Sequence, residues 1–329
     1  MNLLNHLNEN DKQIKQLHKK VNRLARRLRK SQAVRIYKGN KVKPTFSNWS
    51  SIFLHGSQGK IFLSGKDVMC THPSELVSLG VGISSLFLDG EHSQQVESAS
   101  ILQQLDGTLD LSSTPNIKVL SLGGMSYAPD VSHLAQLSNL GVTYSDKITT
   151  IPSLASCSSL RQVVIGGVGY STGSLMPKLT QLPDFPAQLR SLTIVGCTKI
   201  TSLEKVQGLI NLETLDVYNC HATMPPSLTG MVQLQYLGIH SSWLSKAPDV
   251  TRLTKLTWID LSSNCITDAA SIDNLFNTVH AQTTVTGGTI YFQGLPNINY
   301  GQNVPPTSAS LAARNALLAA GWHILVNES

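Results

Sequence analysis

An apolar triplet with a fixed internal spacing returns along most of this chain. Its fullest copy runs from Leu256 to Ile266, with apolar residues at the first, fourth, sixth and eleventh places (Leu256, Ile259, Leu261, Ile266) and Asn264 at the ninth. Leu234/Leu237/Ile239, Leu212/Leu215/Val217, Leu189/Leu192/Ile194 and Leu160/Val163/Ile165 repeat the first, fourth and sixth places. Leu137/Leu140/Val142, Ile117/Leu120/Leu122 and Ile83/Leu86/Leu88 extend the series toward the N-terminus. Successive copies begin 34, 20, 23, 29, 23, 22 and 22 residues apart.

Each copy dictates a short strand. Alternate side chains of a strand point to opposite faces, so Leu192 and Ile194 are expected inside, with Ser191, Thr193 and Val195 outside. One such unit cannot cover its own apolar side. Neighbours must therefore stack into a solenoid with a continuous core. Residues 83–292 resemble the bacterial-type leucine-rich repeat on this motif, which implies an α/β repeat fold, a leucine-rich-repeat solenoid with parallel strands on its concave face. In the same register Cys197 and Cys220 stand where Asn264 stands, at the turn after the strand.

The chain has 41% hydrophobic residues, enough for a core, and only 14% charged residues. Residues 1–43 carry thirteen Lys and Arg against Glu9 and Asp11, so the net charge of +6 belongs to this arm and the remainder is acidic. The opening has no uninterrupted apolar stretch of a signal peptide. No apolar run reaches the roughly 18–20 residues of a membrane span. The five cysteines do not pair as CxxC and read as reduced thiols rather than a disulfide framework or a zinc site; no metal and no cofactor are expected.

Residues 1–31 read as a basic coiled-coil helix. Leu7, Ile14, Val21 and Leu28 fall on the a positions of a heptad, and Leu3, Asn10, Leu17 and Leu24 on the d positions. Such a stripe needs a partner. Self-association as a homo-dimer or homo-trimer, docking on the solenoid, or contact of Arg23, Arg26, Arg27, Arg29 and Lys30 with nucleic acid or an acidic partner would each supply one.

Residues 32–48, with Gly39, Asn40 and Pro44, read as a linker or an edge strand. Residues 49–82 read as an N-terminal capping region, because Ser51–Gly56 and Lys60–Gly65 look like the two arms of a hairpin. Gly166–Gly173 lacks the lysine of a phosphate-binding loop and reads as an insertion. In residues 293–329, Ser308 or Ser310 would cap a helix that Gly321 stops, and Trp322–Val326 would return as a strand closing the far end. This closing segment resembles that of leucine-rich-repeat proteins of bacteria and their phages.

Outward positions of the last strands bring together Asp216, Tyr218, Tyr236, His240, Trp258 and Asp260, a set suited to stacking on sugar rings or anchoring a protein loop. No GxSxG or HExxH occurs, and Asp216 and Asp260 stand two repeats apart, so the sequence points away from an enzyme. The heptad segment before a polar, weakly charged body resembles a bacteriophage tail or baseplate appendage. That resemblance implies a virion structural protein, made in a bacterial cytoplasm, which oligomerises and meets a host-surface glycan or protein or another virion protein. The alternative is an intracellular bacterial scaffold or effector whose basic helix docks on nucleic acid or an acidic partner.

Overall fold

A computed structural model describes residue 111 and residues 115–167, 175–294 and 302–327 in full, with the backbone of seven strands before them. The heptad positions Leu3, Leu7, Asn10, Ile14, Leu17, Val21, Leu24 and Leu28 lie outside the described residues. So do Arg23, Arg26, Arg27, Arg29 and Lys30, and most of the glycine-rich tract.

The strands are β1 (Arg35–Tyr37), β2 (Ser51–His55), β3 (Lys60–Ser64), β4 (Asp67–Cys70), β5 (Ser85–Leu88), β6 (Ser98–Leu102), β7 (Thr108–Asp110) and β8 (Val119–Gly123). They continue with β9 (Asn139–Thr143), β10 (Gln162–Gly166), β11 (Ser191–Val195), β12 (Thr214–Tyr218), β13 (Tyr236–His240), β14 (Trp258–Asp260), β15 (Thr289–Tyr291) and β16 (His323–Leu325). Eleven of them form one sheet in the order β16-β15-β14-β13-β12-β11-β10-β9-β8-β6-β4, with every neighbouring pair parallel. The architecture is a leucine-rich-repeat solenoid, and from β8 to β14 each strand begins two residues after the first member of its triplet.

The apolar triplets fill the interior. Leu120, Leu140, Val163, Leu192, Leu215, Leu237, Ile259 and Ile290 are all buried, one from each strand from β8 to β15. The opposite wall follows a period of three. Val131/Leu134/Leu137, Leu154/Cys157/Leu160, Leu228/Met231/Leu234 and Val250/Leu253/Leu256 are buried. Their backbones are joined by bonds such as Leu134 N to Val131 O (3.0 Å) and Leu137 N to Leu134 O (3.0 Å). Turns that bond every third residue point every third side chain the same way. Such narrow backs explain repeats as short as the 20 residues between Ile117 and Leu137.

The first expected repeat departs from this plan. Leu86 and Leu88 lie in β5, which belongs to a second sheet of five strands, ordered β1-β2-β3-β5-β7. The solenoid strand of that region is β6, which pairs with β4 and β8. From β3 to β8 the chain alternates between the two sheets, so an apolar i, i+2 pair there marks either one. Within the smaller sheet β2 and β3 are antiparallel, from Ser51 opposite Ser64 to His55 opposite Lys60.

Two helices back the last turns. Helix α1 spans Ala269–Gln282, capped by Asp268, whose side chain accepts from Ser271 N, and it buries Ile272, Leu275, Phe276 and Val279. The sequence reading missed it. A single 3₁₀ turn at Ser308–Ser310 leads into α2 (Leu311–Ala319), and Gly321 takes the left-handed φ of +83° that ends it. Ser310 precedes α2 without capping it; its hydroxyl instead donates to the buried Asp273 on α1 at 2.5 Å. Asp273 also accepts from Thr307 N (2.9 Å) and from the Thr307 hydroxyl. Burial pushes the Asp273 carboxyl up, but the bonds from Ser310 and Thr307 and the nearby Arg314 outweigh it and hold the group below its ordinary value.

A polar column runs inside the turn after the strands. Ser145 accepts from Met125 N (3.0 Å), and Ser242 donates to His240 O (3.3 Å). Asn264 accepts from Leu244 N (3.2 Å) and donates to Ile239 O (2.6 Å) and Leu261 O (3.0 Å). Cys197 and Cys220 occupy the same column, each with its Sγ against a strand carbonyl, at 3.7 Å from Val195 O and 3.6 Å from Tyr218 O. Cys157, Cys197, Cys220 and Cys265 are free thiols. Contact with Cys220, together with burial, pushes the Cys197 thiol well up.

Candidate functional site

Strand alternation leaves the first and third residues of each strand on the outer face of the large sheet. Most of this face is small and polar, as at Ser121, Asn139, Ser191 and Thr193. From β12 onward it changes character. Asp216, Tyr236, Trp258, Asp260 and Tyr291 stand there, each partly exposed, with exposed His323 beyond them.

The rings touch in series. Tyr236 and Trp258, side by side in register, are stacked with centroids 5.9 Å apart and planes 11° apart. Trp258 meets Tyr291 edge-on at 5.3 Å, and Tyr291 meets His323 edge-on at 5.8 Å. Four neighbouring strands thus share one aromatic row.

Asp216, Gly238 and Asp260 are register partners on β12, β13 and β14. A side chain at the middle place would collide, because a Cβ on Gly238 would lie 2.6 Å from Asp216 Oδ1 and 3.0 Å from Tyr236 Cε1. The glycine lets both side chains lean over the strand. Asp216 Oδ1 thereby comes within 3.3 Å of His240 Nε2. Asp260 is fixed differently, its Oδ1 accepting from Ser262 N (2.9 Å) and the Ser262 hydroxyl (2.6 Å).

Tyr218 and His240 correct the expectation from alternation. Both were expected on the outer face, yet they are buried at 5% and 4% exposure, as is Val195 at 3%. They are the fifth residues of their strands. The residue after each turns left-handed, with φ of +68° at Gly196, +53° at Asn219 and +46° at Ser241, and the chain curls inward there. Tyr218 and His240 rest on one another with ring centroids 4.8 Å apart, beneath the surface rather than on it. His240 meets Asp216 from beneath. Of the six expected face residues, Asp216, Tyr236, Trp258 and Asp260 reach the outer surface.

Tyr291, His323 and Gly238 were not anticipated. The signal for Tyr291 was present, since Thr289-Ile290-Tyr291 reads as a strand and alternation turns Tyr291 outward. Among the described residues no group of three His, Cys, Asp or Glu is placed to hold a metal ion. No described helix is long and apolar enough to cross a membrane.

No protein-family model matches the chain, and no curated protein sequence does. Solved structures similar to it are bacterial leucine-rich-repeat proteins. The functional domain of InlJ from Listeria monocytogenes, which includes a cysteine ladder, is 18% identical with a TM-score of 0.43, over 65% of this chain and 51% of that one. This chain thus spans about half the length of that domain. The internalin inlF of Listeria monocytogenes is 16% identical with a TM-score of 0.37, over 82% of each chain. A leucine-rich-repeat protein of Leptospira interrogans is 13% identical with a TM-score of 0.33, over 78% of this chain and 75% of that one. The repeat architecture stands on the strand pairing and burial described above, not on these likenesses.

Proposed function

We propose that this protein is a non-enzymatic interaction protein that binds its ligand through the outer face of β12–β16. The aromatic row from Tyr236 to His323 carries the reading. Rings held in series on a hydrogen-bonded sheet offer apolar contact area whose ordering is already complete before a ligand arrives. Asp216 and Asp260 add fixed acceptors beside it. Trp258→Ala and Tyr236→Ala should each weaken attachment of the labelled protein to its target surface while leaving the unfolding midpoint near that of the parent. Attachment unchanged in both variants would sink the reading.

Within this reading the target is a host-surface glycan or protein, and the setting is a phage tail fibre or baseplate. The organisation of the sequence supports that setting, with a heptad segment at residues 1–31 preceding a polar, weakly charged body. It is tested by proteomics of purified particles from a host carrying the gene, where absence of the chain would reject it. Light scattering of the full chain and of a chain beginning at Thr45 tests the assembly role of residues 1–31; a monomer in both refutes it.

A further inference from the structure

We propose that the face between β12 and β14 takes a cationic side chain, an arginine or lysine of a partner polypeptide, between Asp216 and Asp260 and against the rings of Tyr236 and Trp258. This deepens the reading of the outer face as the binding surface and rests on it.

The charge of the face carries the inference. No Lys or Arg occupies the first or third place of any strand from β8 to β16, whereas Asp216 and Asp260 both stand at third places. Asp216 and Asp260 are the only Asp, Glu, Lys or Arg at those places. Both carboxylates are in register with Gly238, which places them two strand spacings apart, roughly 10 Å. A cation between such a pair can hydrogen-bond one carboxylate and is attracted by the other.

The rings add a second attraction of the same sign. A cation over the face of Trp or Tyr is drawn by the ring quadrupole, and Arg in addition stacks its plane there. Gly238 brings the two attractions together, because only without a Cβ can Asp216 and Tyr236 lean over the same spot, with Asp216 Oδ1 buried toward His240. Asp260 is held by Ser262, so its carboxylate is oriented before binding. At the strand-entry rim, Arg190 is engaged by Glu213 at 3.3 Å rather than by Asp216 or Asp260. Beyond residue 43 the chain is acidic as a whole, which would draw a basic partner toward it.

The test is calorimetric titration of the full chain with a tri-arginine peptide, a tri-lysine peptide and a tri-citrulline peptide at low and at moderate salt. Citrulline keeps the shape of arginine and loses its charge. The arginine and lysine peptides should bind at least tenfold tighter than the citrulline peptide, and more weakly as salt rises. Asp216→Asn and Asp260→Asn should each weaken binding of the arginine peptide about tenfold, the scale of a charge-assisted hydrogen bond. Equal binding of the citrulline peptide, no binding of either cationic peptide, or parental affinity in both Asn variants overturns the proposal. If Trp258→Ala weakens binding while both Asn variants do not, the outer face stands as the binding surface and its cationic ligand falls. If none of the three variants changes binding, both fall.

Discussion

Substitution of Gly238 by alanine separates the geometry of the face from the stability of the fold. The new Cβ would sit 2.6 Å from Asp216 Oδ1 and 3.0 Å from Tyr236 Cε1, so both side chains must rotate away. Both atoms belong to side chains that can move into solvent. Each displacement costs about 0.5–1.5 kcal/mol if the new χ angles are off-rotamer. Against this, alanine recovers about 0.5–1 kcal/mol of chain entropy relative to glycine in a strand. The net change should lie between about 0 and 2.5 kcal/mol, a shift of up to roughly 10 °C in melting temperature for a body of this size. The 3.3 Å contact between Asp216 and His240 does not survive the rotation. Three assays follow it: thermal unfolding, imidazole resonances of His240 by NMR, and titration with the tri-arginine peptide. The His240 resonances should move, and affinity should fall about tenfold, since the misplaced carboxylate no longer meets the cation. Unmoved His240 resonances, or parental affinity, would refute the reasoning that Gly238 sets the pose of Asp216 and Tyr236.

Asn264→Ala strips three bonds from buried backbone groups and should cost about 3–5 kcal/mol, measured by denaturant unfolding. Cys220→Ser, in a column that already holds Ser145 and Ser242, should cost less than about 1.5 kcal/mol; a loss as large as that of Asn264→Ala would contradict the equivalence of these places. Asp273→Asn removes a charge that binds the start of α2 to α1. Because the folded carboxyl lies below its unfolded value, its contribution is present above about pH 4 and is lost as pH falls through the folded value. Stability of the parent and of Asp273→Asn should therefore converge as pH falls below the folded-state value in an acid unfolding series; a constant gap would show that the charge is irrelevant. Gly288→Ala would drive a Cβ to 2.5 Å from the ring of buried Trp322, whose Nε1 is tied to Val285 O at 3.1 Å. Such overpacking should cost about 1–3 kcal/mol by thermal unfolding, and a parental midpoint would mean that the ring can yield.

The solenoid was legible because its inner residues repeat at fixed places. Leu215 and Val217 are inward by alternation alone, whatever follows them. Tyr218 and His240 were not, because the fifth residue obeys the turn after it and not the strand before it. The types at that turn, Gly196, Asn219 and Ser241, carry the signal, but only once the left-handed step is recognised as recurring. Ile83/Leu86/Leu88 misled for another reason. A two-residue alternation says that a strand exists and not which sheet it joins, and β5 pairs with β3 and β7. Helix α1 was hidden by its Ser, Asn and Thr content, although Asp268 and the spacing of Ile272, Leu275, Phe276 and Val279 mark it. In the candidate face, ring-bearing residues announced themselves. Gly238 did not, since its role is to be absent.

The two helices behind the last turns have a consequence for how the molecule comes apart. From β8 to β14 the back of each turn is a narrow run of three-residue bends, and each repeat is buttressed only by its neighbours. Behind β15 and β16, α1 and α2 pack on each other, stitched by Asp273, Thr307, Ser310 and Arg314. Amide hydrogens of this end should exchange most slowly, with opening spreading from the other repeats toward it. The C-terminal part of the aromatic row, Tyr291 and His323, is mounted on that last-opening unit. A chain that has begun to fray would still present Tyr291 and His323 in their native places, while Tyr236 and Trp258 would be lost with the repeats that carry them.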